Sequence, residues 1–420
     1  MANTYLTRTP SGAGNGNTWT FSAWVKKGNP SATQFLIGSS TSASDFEDIR
    51  FNATTGELSY VRYLTTKQWG FDSSTNLRDV NGWYHILVNR NGTTMNYYLN
   101  GVSQTKTNET TSTSTGDFNT TDELRIGGRP DTTSYTFDGI MSHVHWIDGT
   151  AYDASAFGST DSTTGEWKIN TSPSVTYGTN GFFILKDGNS VTDQSGNSNN
   201  FTVGSGTLTK TEDCPSNVFA TLNPLYPYTS TGAITNGNTV PSDYAAYQGI
   251  VGTLGASSGK YYFEVKINGS SGERGMVGWG ARDTGQITFP GGGAYDYGRL
   301  NNADTYYNNG SDTAISGASA YTTNDICGCA IDLDGNKIYW YKNGALENTG
   351  GTTITASSTA GNYFPIVRNG DGNNIQCNFG NGYFGTTAVS SAGTNASGIG
   401  IFEYDVPNGY TALSTKGLNE

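Results

Sequence analysis

The chain has 420 residues, enough for two or three domains at about 100–200 residues each. Only 14% are charged, glycine supplies 57 residues and tyrosine (26) outnumbers lysine plus arginine (23), a composition of strand and turn formers that excludes a helical bundle or an α/β enzyme. A formal net charge of -12 repels phosphate backbones and excludes nucleic acid as an expected partner, and no apolar run approaches the ~20 residues of a membrane span.

Residues 1–11 show no apolar stretch behind a basic start, so no signal peptide is expected. Cys214, Cys327, Cys329 and Cys377 are too few and too irregularly spaced for a disulfide framework, and synthesis in a reducing cytoplasm is expected. Cys327 and Cys329 share a strand face, where i, i+2 thiols do not reach disulfide geometry; Cys214 is the expected exposed thiol.

Short apolar and aromatic runs alternate with Asn-Gly, Asp-Gly and Thr/Ser clusters, the pattern of a sandwich or barrel. In chain order the runs that read as strands are 18–26, 57–64, 83–89, 95–99, 123–127, 141–147, 182–186, 260–267, 276–280, 326–332, 337–342 and 375–379. No stretch of helical period interrupts them, so the fold class is all-β. Residues 83–101 (WYHILVNRNGTTMNYYLNG) and 326–344 (ICGCAIDLDGNKIYWYKNG) echo each other. In each, a strand runs into a Gly-containing turn, an aromatic strand follows, and an Asn-Gly pair closes the unit nine residues later. The echo predicts two antiparallel β-sandwiches in tandem: 1–205, a linker over 206–224, a second sandwich over 225–390, and a C-terminal tail over 391–420.

The first half carries Thr20-Phe-Ser-Ala-Trp-Val-Lys26, Trp83-Tyr-His-Ile86, Tyr98-Leu-Asn-Gly101, Ile126-Gly-Gly-Arg129 and Phe137-Asp-Gly139. In these it resembles the laminin-G-like, concanavalin-A-type lectin sandwiches, which implies a jelly roll. Where that family commonly carries an acidic residue in the strand after Phe137-Asp-Gly139, this chain has Ser142 and His143. Asp193-Gln-Ser-Gly-Asn197 looks like a motif usually found at the start of such domains. The second half resembles the SPRY sandwiches in Gly259-Lys-Tyr-Tyr-Phe-Glu-Val265, Val277-Gly-Trp279, 325–334 with Ile338-Tyr-Trp-Tyr341, Tyr363-Phe-Pro365 and Cys377-Asn-Phe-Gly380. With Pro215-Ser-Asn-Val-Phe-Ala-Thr-Leu-Asn-Pro224 and 402–413, the whole chain resembles virion-associated proteins of marine bacteriophages. That resemblance implies a tail-fibre, appendage or capsid-surface protein.

Catalytic constellations are thin. Only His85, His143 and His145 could serve a Ser or Cys nucleophile, and His85 falls inside a strand. Asp45/Glu47 and Asp332/Asp334 are the carboxylate pairs that alternation puts on one face; the first reads as an exposed loop edge and the second as turn acids. His143 and His145 are expected on one strand face, without a third ligand, so no metal and no cofactor is expected. Trp24, Trp83, Trp279 and Trp340 read as core.

Flat aromatic rings cover the apolar faces of sugars while Asn, Asp and Thr bond their hydroxyls. Two stretches read as loops with that mixture: 60–76, with Tyr63, Trp69, Asp72 and Asn76 beside Lys67, and 291–309, with Tyr295, Tyr297, Arg299, Tyr306 and Tyr307 beside Asp296 and Asn302. The expected function is attachment of a virion surface protein, made in the host cytoplasm and exposed on the particle, to a host-surface glycan or protein. The alternatives are a purely structural capsid decoration or collar protein contacting other virion proteins, and a polysaccharide-degrading enzyme. A homo-oligomer, a trimer above all, is the expected assembly, because edge strands in so charge-poor a chain have little chemical protection.

Overall fold

The computed structural model describes residues 3–419 apart from 31, 54, 187, 189, 226–233, 242–248, 270–274, 282–289 and 371–374. It divides into two units, Met1–Lys210 and Thr211–Glu420, and both are almost entirely strand and turn.

Strands of the first unit are β1 (Tyr5–Arg8), β2 (Thr18–Lys27), β3 (Gln34–Ser42), β4 (Asp45–Phe51), β5 (Glu57–Leu64), β6 (Thr66–Asn76), β7 (Tyr84–Asn91), β8 (Thr94–Leu99), β9 (Val102–Ser103), β10 (Lys106–Thr110), β11 (Leu124–Ile126), β12 (Gly139–Asp148), β13 (Gly158–Thr160), β14 (Trp167–Ile169), β15 (Phe182–Ile184) and β16 (Thr202–Ser205). An eight-stranded sheet, β10-β6-β5-β4-β3-β11-β1-β16, faces a six-stranded one, β15-β12-β2-β7-β8-β9. Strand alternation sends Trp19, Phe21, Ala23 and Val25 of β2 to meet Ile49, Tyr60 and Phe71 in one core. The opposite side of the six-stranded sheet is roofed: Phe157 packs on Leu87 and Ile147, with Tyr152, Val175 and Tyr177 around it. Two buried faces explain why β2 is buried at nine of its ten positions.

Strands of the second unit are β17 (Ile234–Thr235), β18 (Val240–Pro241), β19 (Ile250–Val251), β20 (Lys260–Ile267), β21 (Met276–Ala281), β22 (Asp296–Leu300), β23 (Thr305–Asn308), β24 (Ser311–Ala314), β25 (Ile326–Asp332), β26 (Lys337–Lys342), β27 (Ala345–Leu346), β28 (Thr352–Thr353), β29 (Tyr363–Arg368), β30 (Ile375–Asn378), β31 (Tyr383–Phe384), β32 (Thr387–Ala388) and β33 (Thr411–Ala412). Its six-stranded sheet runs β19-β29-β21-β22-β23-β24; the other is β27-β26-β25-β20-β30, with β28 on β26 and β33 on β20. Trp279, Trp340, Phe263 and the thiols Cys327, Cys329 and Cys377 lie in the core between them. All four cysteines are free; Cys214 is half-buried and the other three are buried.

The sequence echo is a real structural repeat. Asn100-Gly101 and Asn343-Gly344 both form two-residue hairpin turns with positive φ at each position (46° and 79°; 49° and 79°). In each, the Asn backbone N–H donates to the strand start, His85 O or Ile326 O, at 2.9 Å. Its Oδ1 accepts that same residue's N–H at 2.8 Å.

Two expectations are corrected at the ends of the second unit. Of the expected linker 206–224, residues 211–224 belong to this unit, and the described part of the expected tail 391–420 is packed into it as well. Ala220 N–H donates to Leu413 O at 2.9 Å, β33 pairs in parallel with β20, and Phe219, Phe402, Val406 and Tyr410 close over Tyr262 and Ala330. Glu264 anchors the arrangement. Its buried carboxylate accepts the Glu403 and Tyr404 backbone N–H groups at 2.8 and 2.9 Å and the Tyr262 hydroxyl at 3.1 Å. The sequence carries only a short alternation here, Phe402, Tyr404 and Val406, which does not say what it covers.

Burial pushes the Glu264 carboxyl up to about 7, against hydrogen bonds from Glu403 and Tyr404 that pull it down. A folded pKa above the unfolded value means the folded state holds the proton more tightly, so this contribution to stability is present at low pH and is lost as pH rises towards and through 7. Glu264→Gln removes the titration. The melting temperature of the variant minus that of the wild-type chain should therefore rise between pH 5 and pH 8, measured by calorimetry. Glu264→Ala should destabilise by about 2–4 kcal/mol at either pH, since it strands the Glu403 and Tyr404 donors.

Candidate functional site

The site begins with β4. The sequence there, Asp45-Phe-Glu-Asp-Ile-Arg-Phe51, was expected as a loop edge but is a central strand, and alternation divides its charges between two faces. Glu47 points inward, where its carboxylate accepts the Tyr60 hydroxyl at 2.5 Å and the Phe118 N–H at 2.8 Å. Asp45 and Asp117 are bridged by one nitrogen, Arg62 Nη1, at 2.6 and 2.8 Å. They also hydrogen-bond each other, and burial raises Asp117 to about 7. That contact is closer than the roughly 5–9.5 Å separation of either glycosidase geometry.

The other face of β4 builds the outer side of the eight-stranded sheet. Phe46, Asp48 and Arg50 lie opposite Tyr63, Val61 and Ser59 of β5, and Ser59 lies opposite Asp72 of β6. A hydrogen-bonded line crosses these strands. Asn52 donates to Ser59 Oγ at 2.6 Å, Ser59 donates to Asp72 Oδ1, and Asn108 donates to Asp72 Oδ2 at 3.0 Å. A second line is ionic. Asp48 Oδ2 takes Arg50 Nη1 at 3.1 Å and Arg129 Nη1 at 2.8 Å, while Arg129 also grips Asp131 at 2.6 and 3.0 Å. Arg129 can lie flat because Gly38 is beneath it; a Cβ there would come within 2.9 Å of the Arg129 side chain.

The first predicted cluster therefore divides. Tyr63 and Asp72 are half-buried on this outer face, Tyr63 stacked on Phe46 at 5.0 Å, and Asn76 is exposed at the end of β6. Trp69 is corrected: it is a core residue, 2% exposed, donating its indole N–H to Tyr60 Oη at 3.0 Å beneath the Arg90 guanidinium. The stretch is a strand pair, not a loop, and alternation turned Trp69 inward. Nothing in the local composition distinguishes the two kinds of aromatic.

The second predicted cluster is also a pair of strands, β22 and β23. Arg299 is corrected: fully buried, it makes a two-pronged ion pair with Glu347, both contacts at 2.9 Å, and bonds Ser319 O at 2.8 Å. Tyr297 is a core residue whose hydroxyl accepts the Thr355 N–H at 3.2 Å. Tyr306 is half-buried and stacks on Trp340 at 5.4 Å; Tyr295 packs against the same core. Tyr307 is half-buried opposite Gly298, on the other side of its sheet from Tyr306.

Ser22 and His85 form a buried pair at 2.9 Å. The Trp167 indole, which only donates, sits 3.1 Å from His85 Nδ1. The His85 proton is therefore on Nε2 and points at Ser22, the reverse of what a general base needs. Burial pushes the His85 imidazole down to about 3 and His145 well below its usual range. The expected shared face of His143 and His145 is interrupted by a bulge between Ser142 and His145, with His143 at φ 49°. Among the described residues no metal-binding group of three or more His, Cys, Asp or Glu occurs. Asp332 caps its own turn, accepting the Gly335 N–H, whereas Asp334 accepts the N–H of Gly259, 75 residues earlier, ahead of β20.

Two outcomes follow. The His85 and His145 imidazole resonances should stay at their neutral positions from pH 8 to pH 5, where an exposed histidine titrates. Trp69→Ala should destabilise by about 3–5 kcal/mol in chemical unfolding, the cost of emptying a core site.

Residues 2–155 match the family model of the concanavalin A-like lectin/glucanases superfamily, and residues 260–382 match that of the SPRY domain. Among solved structures, the chain is similar to the SPRY domain of human HERC1, with 18% identity over 37% of this chain and 96% of that one, at a TM-score of 0.30. It is similar as well to the TRIM65 PSpry domain, with 12% identity over 38% of this chain and 91% of that one, also at 0.30. No curated protein matches. The chain carries a concanavalin A-like lectin/glucanase sandwich followed in tandem by a SPRY sandwich.

Proposed function

We propose that the first unit is a saccharide-binding module and that its binding surface is the outer face of the eight-stranded sheet. The observation that carries this is an asymmetry between the two outer faces. The six-stranded sheet is roofed by apolar side chains, whereas the eight-stranded sheet presents the polar line Asn52–Ser59–Asp72–Asn108 and the ring of Tyr63. Hydroxyl-rich ligands need such donors and acceptors beside an aromatic surface. The match of residues 2–155 to the concanavalin A-like lectin/glucanases superfamily supports a carbohydrate ligand, and the reversed Ser22–His85 polarity speaks against that pair as a hydrolytic couple.

The setting we propose is the surface of a bacteriophage particle, as an appendage or capsid-attached protein that engages host glycans in multiple copies. It rests on the sequence resemblance in 215–224 and 402–413 and on a thiol content suited to cytoplasmic synthesis. A trimer supplies avidity for individually weak sugar contacts. In the second unit, Tyr295, Tyr306 and Tyr307 are the half-buried members of the predicted set, and partner contact there would run through their partly exposed rings.

A glycan array probed with the full chain tests the binding reading. Retention of a defined subset of glycans is expected, with Asp72→Ala and Tyr63→Ala each weakening it about tenfold, or about 1.4 kcal/mol. A chain that retains no glycan, while melting cooperatively, would overturn the reading.

A further inference from the structure

The loop between β11 and β12 crosses the outer face of the eight-stranded sheet and is pinned to it. Gly127 N–H donates to Leu36 O at 2.8 Å and Phe35 N–H to Tyr135 O at 2.9 Å. Tyr135 has φ 64°, in the left-handed region, and is the only Tyr, Phe or Trp among the described residues at positive φ; most of the others are Asn. An L side chain there is strained, and a bulky one more than Asn, whose short amide tolerates the conformation. Burial does not recover the strain, because the residue is 57% exposed.

The ring is nevertheless positioned. It meets the edge of Phe35 at 6.1 Å and 84°. Phe35 and Phe46 lie on either side of the Arg129 guanidinium, 4.8 and 3.7 Å from it, and Phe46 stacks on Tyr63. A continuous ladder, Tyr63–Phe46–Arg129–Phe35–Tyr135, thus crosses strands β5, β4 and β3. Its three middle members are buried and its two ends are tyrosines with accessible surface. Strain maintained at an exposed aromatic, on a surface already suited to a ligand, marks a binding residue.

Charge narrows the ligand. Each arginine of this face is already paired: Arg50 with Asp48, Arg129 with Asp48 and Asp131, Arg125 with Glu123. Lys67, opposite Tyr63, already donates its ammonium to Asn108 O at 2.8 Å. An anionic sugar would have to break one of the ion pairs or draw Lys67 from that carbonyl, whereas an uncharged one needs only hydroxyl contacts to Asp72, Asn108 and Asn52.

We infer that Tyr135 is a second aromatic platform of the saccharide site, and that the site takes an uncharged oligosaccharide laid across the strands between Tyr63 and Tyr135. This rests on the saccharide reading above. The same array and a titration with the best-retained oligosaccharide test it on the full chain, using Tyr135→Phe, Tyr135→Ala and Tyr135→Gly. The Phe variant should bind as the wild type does, and the Ala and Gly variants about tenfold more weakly. The Gly variant should melt at or above the wild-type temperature and above the Ala variant, because glycine relieves the left-handed strain. Retained affinity in Tyr135→Gly would overturn the inference and leave the saccharide reading standing. A Gly variant that melts well below the wild type would assign the ring to covering Phe35 instead. Preference for acidic glycans, with affinity falling steeply as salt is raised, would overturn the uncharged ligand. Absence of any retained glycan for the wild-type chain would remove the saccharide reading and this inference together.

Discussion

Both sandwiches depend on single buried carboxylates that accept backbone N–H groups from other segments, some close in the chain and some more than a hundred residues away. Glu47 holds Phe118, Asp148 holds Asn15 and Asn180, Asp193 holds Phe183 and Asn199, and Glu264 holds Glu403 and Tyr404. A chain with almost no helix leaves long connections whose backbone groups have no ladder to join, and a buried N–H without a partner costs as much as a lost hydrogen bond. An ionised carboxylate offers several acceptor sites at one point, and bonds to a charged acceptor are the stronger kind. The price of this device is desolvation, visible in the raised pKa of Glu47 and Glu264. Scarcity of charge in the sequence thus coexists with heavy dependence on a few charges.

The anchors decide which faces are covered. Glu264 fixes the C-terminal segment over the outer side of β20 and β25, so that face is unavailable to a ligand. Asp148 ties Asn15 and Asn180 to the end of β12, and Tyr177 nearby belongs to the roof of the first unit's six-stranded sheet. The eight-stranded sheet has no such apolar cover. Its outer side is crossed by the loop between β11 and β12, in which Arg129 lies on Gly38, and an arginine between two carboxylates is a lid that keeps polar edges in contact with water. Exposed polarity there is a consequence of where the anchors are, not of a locally hydrophilic sequence.

Fold class and most strands were legible because alternation and Asn-Gly turns act over a few residues. The expected strands 260–267, 326–332 and 337–342 coincide with β20, β25 and β26. What escaped was anything set by a partner remote in the chain. Strand β4 has three acids and an arginine in seven residues, so it has no apolar alternation; Tyr60, Arg62 and Arg129 make its burial tolerable. Trp69 and Tyr63 were grouped by composition and separated by a strand's two faces. Arg299 carried the composition of a ligand-binding residue, yet Glu347, some fifty positions on, makes it structural. Tyr135 was missed because no local pattern announces a left-handed tyrosine; the loop's hydrogen bonds to β3 hold it there.

On the saccharide reading proposed above, a surface whose arginines are all neutralised within the sheet would select by shape and hydroxyl geometry rather than through those charges. Arg129 illustrates why. Were it unpaired, it would attract any anion, and an acidic polymer would compete with a sugar at every encounter. Bound to Asp48 and Asp131, it instead serves as a flat spacer between Phe35 and Phe46, keeping the aromatic ladder in register while contributing no free charge. The cost is that Asp48 is fully buried with one carboxylate oxygen unbonded, and burial raises its pKa. That penalty is tolerable only because two guanidinium groups share the other oxygen, so the ionic line and the aromatic ladder are a single construction: removing Arg129 would uncover Asp48, separate the rings and undo both.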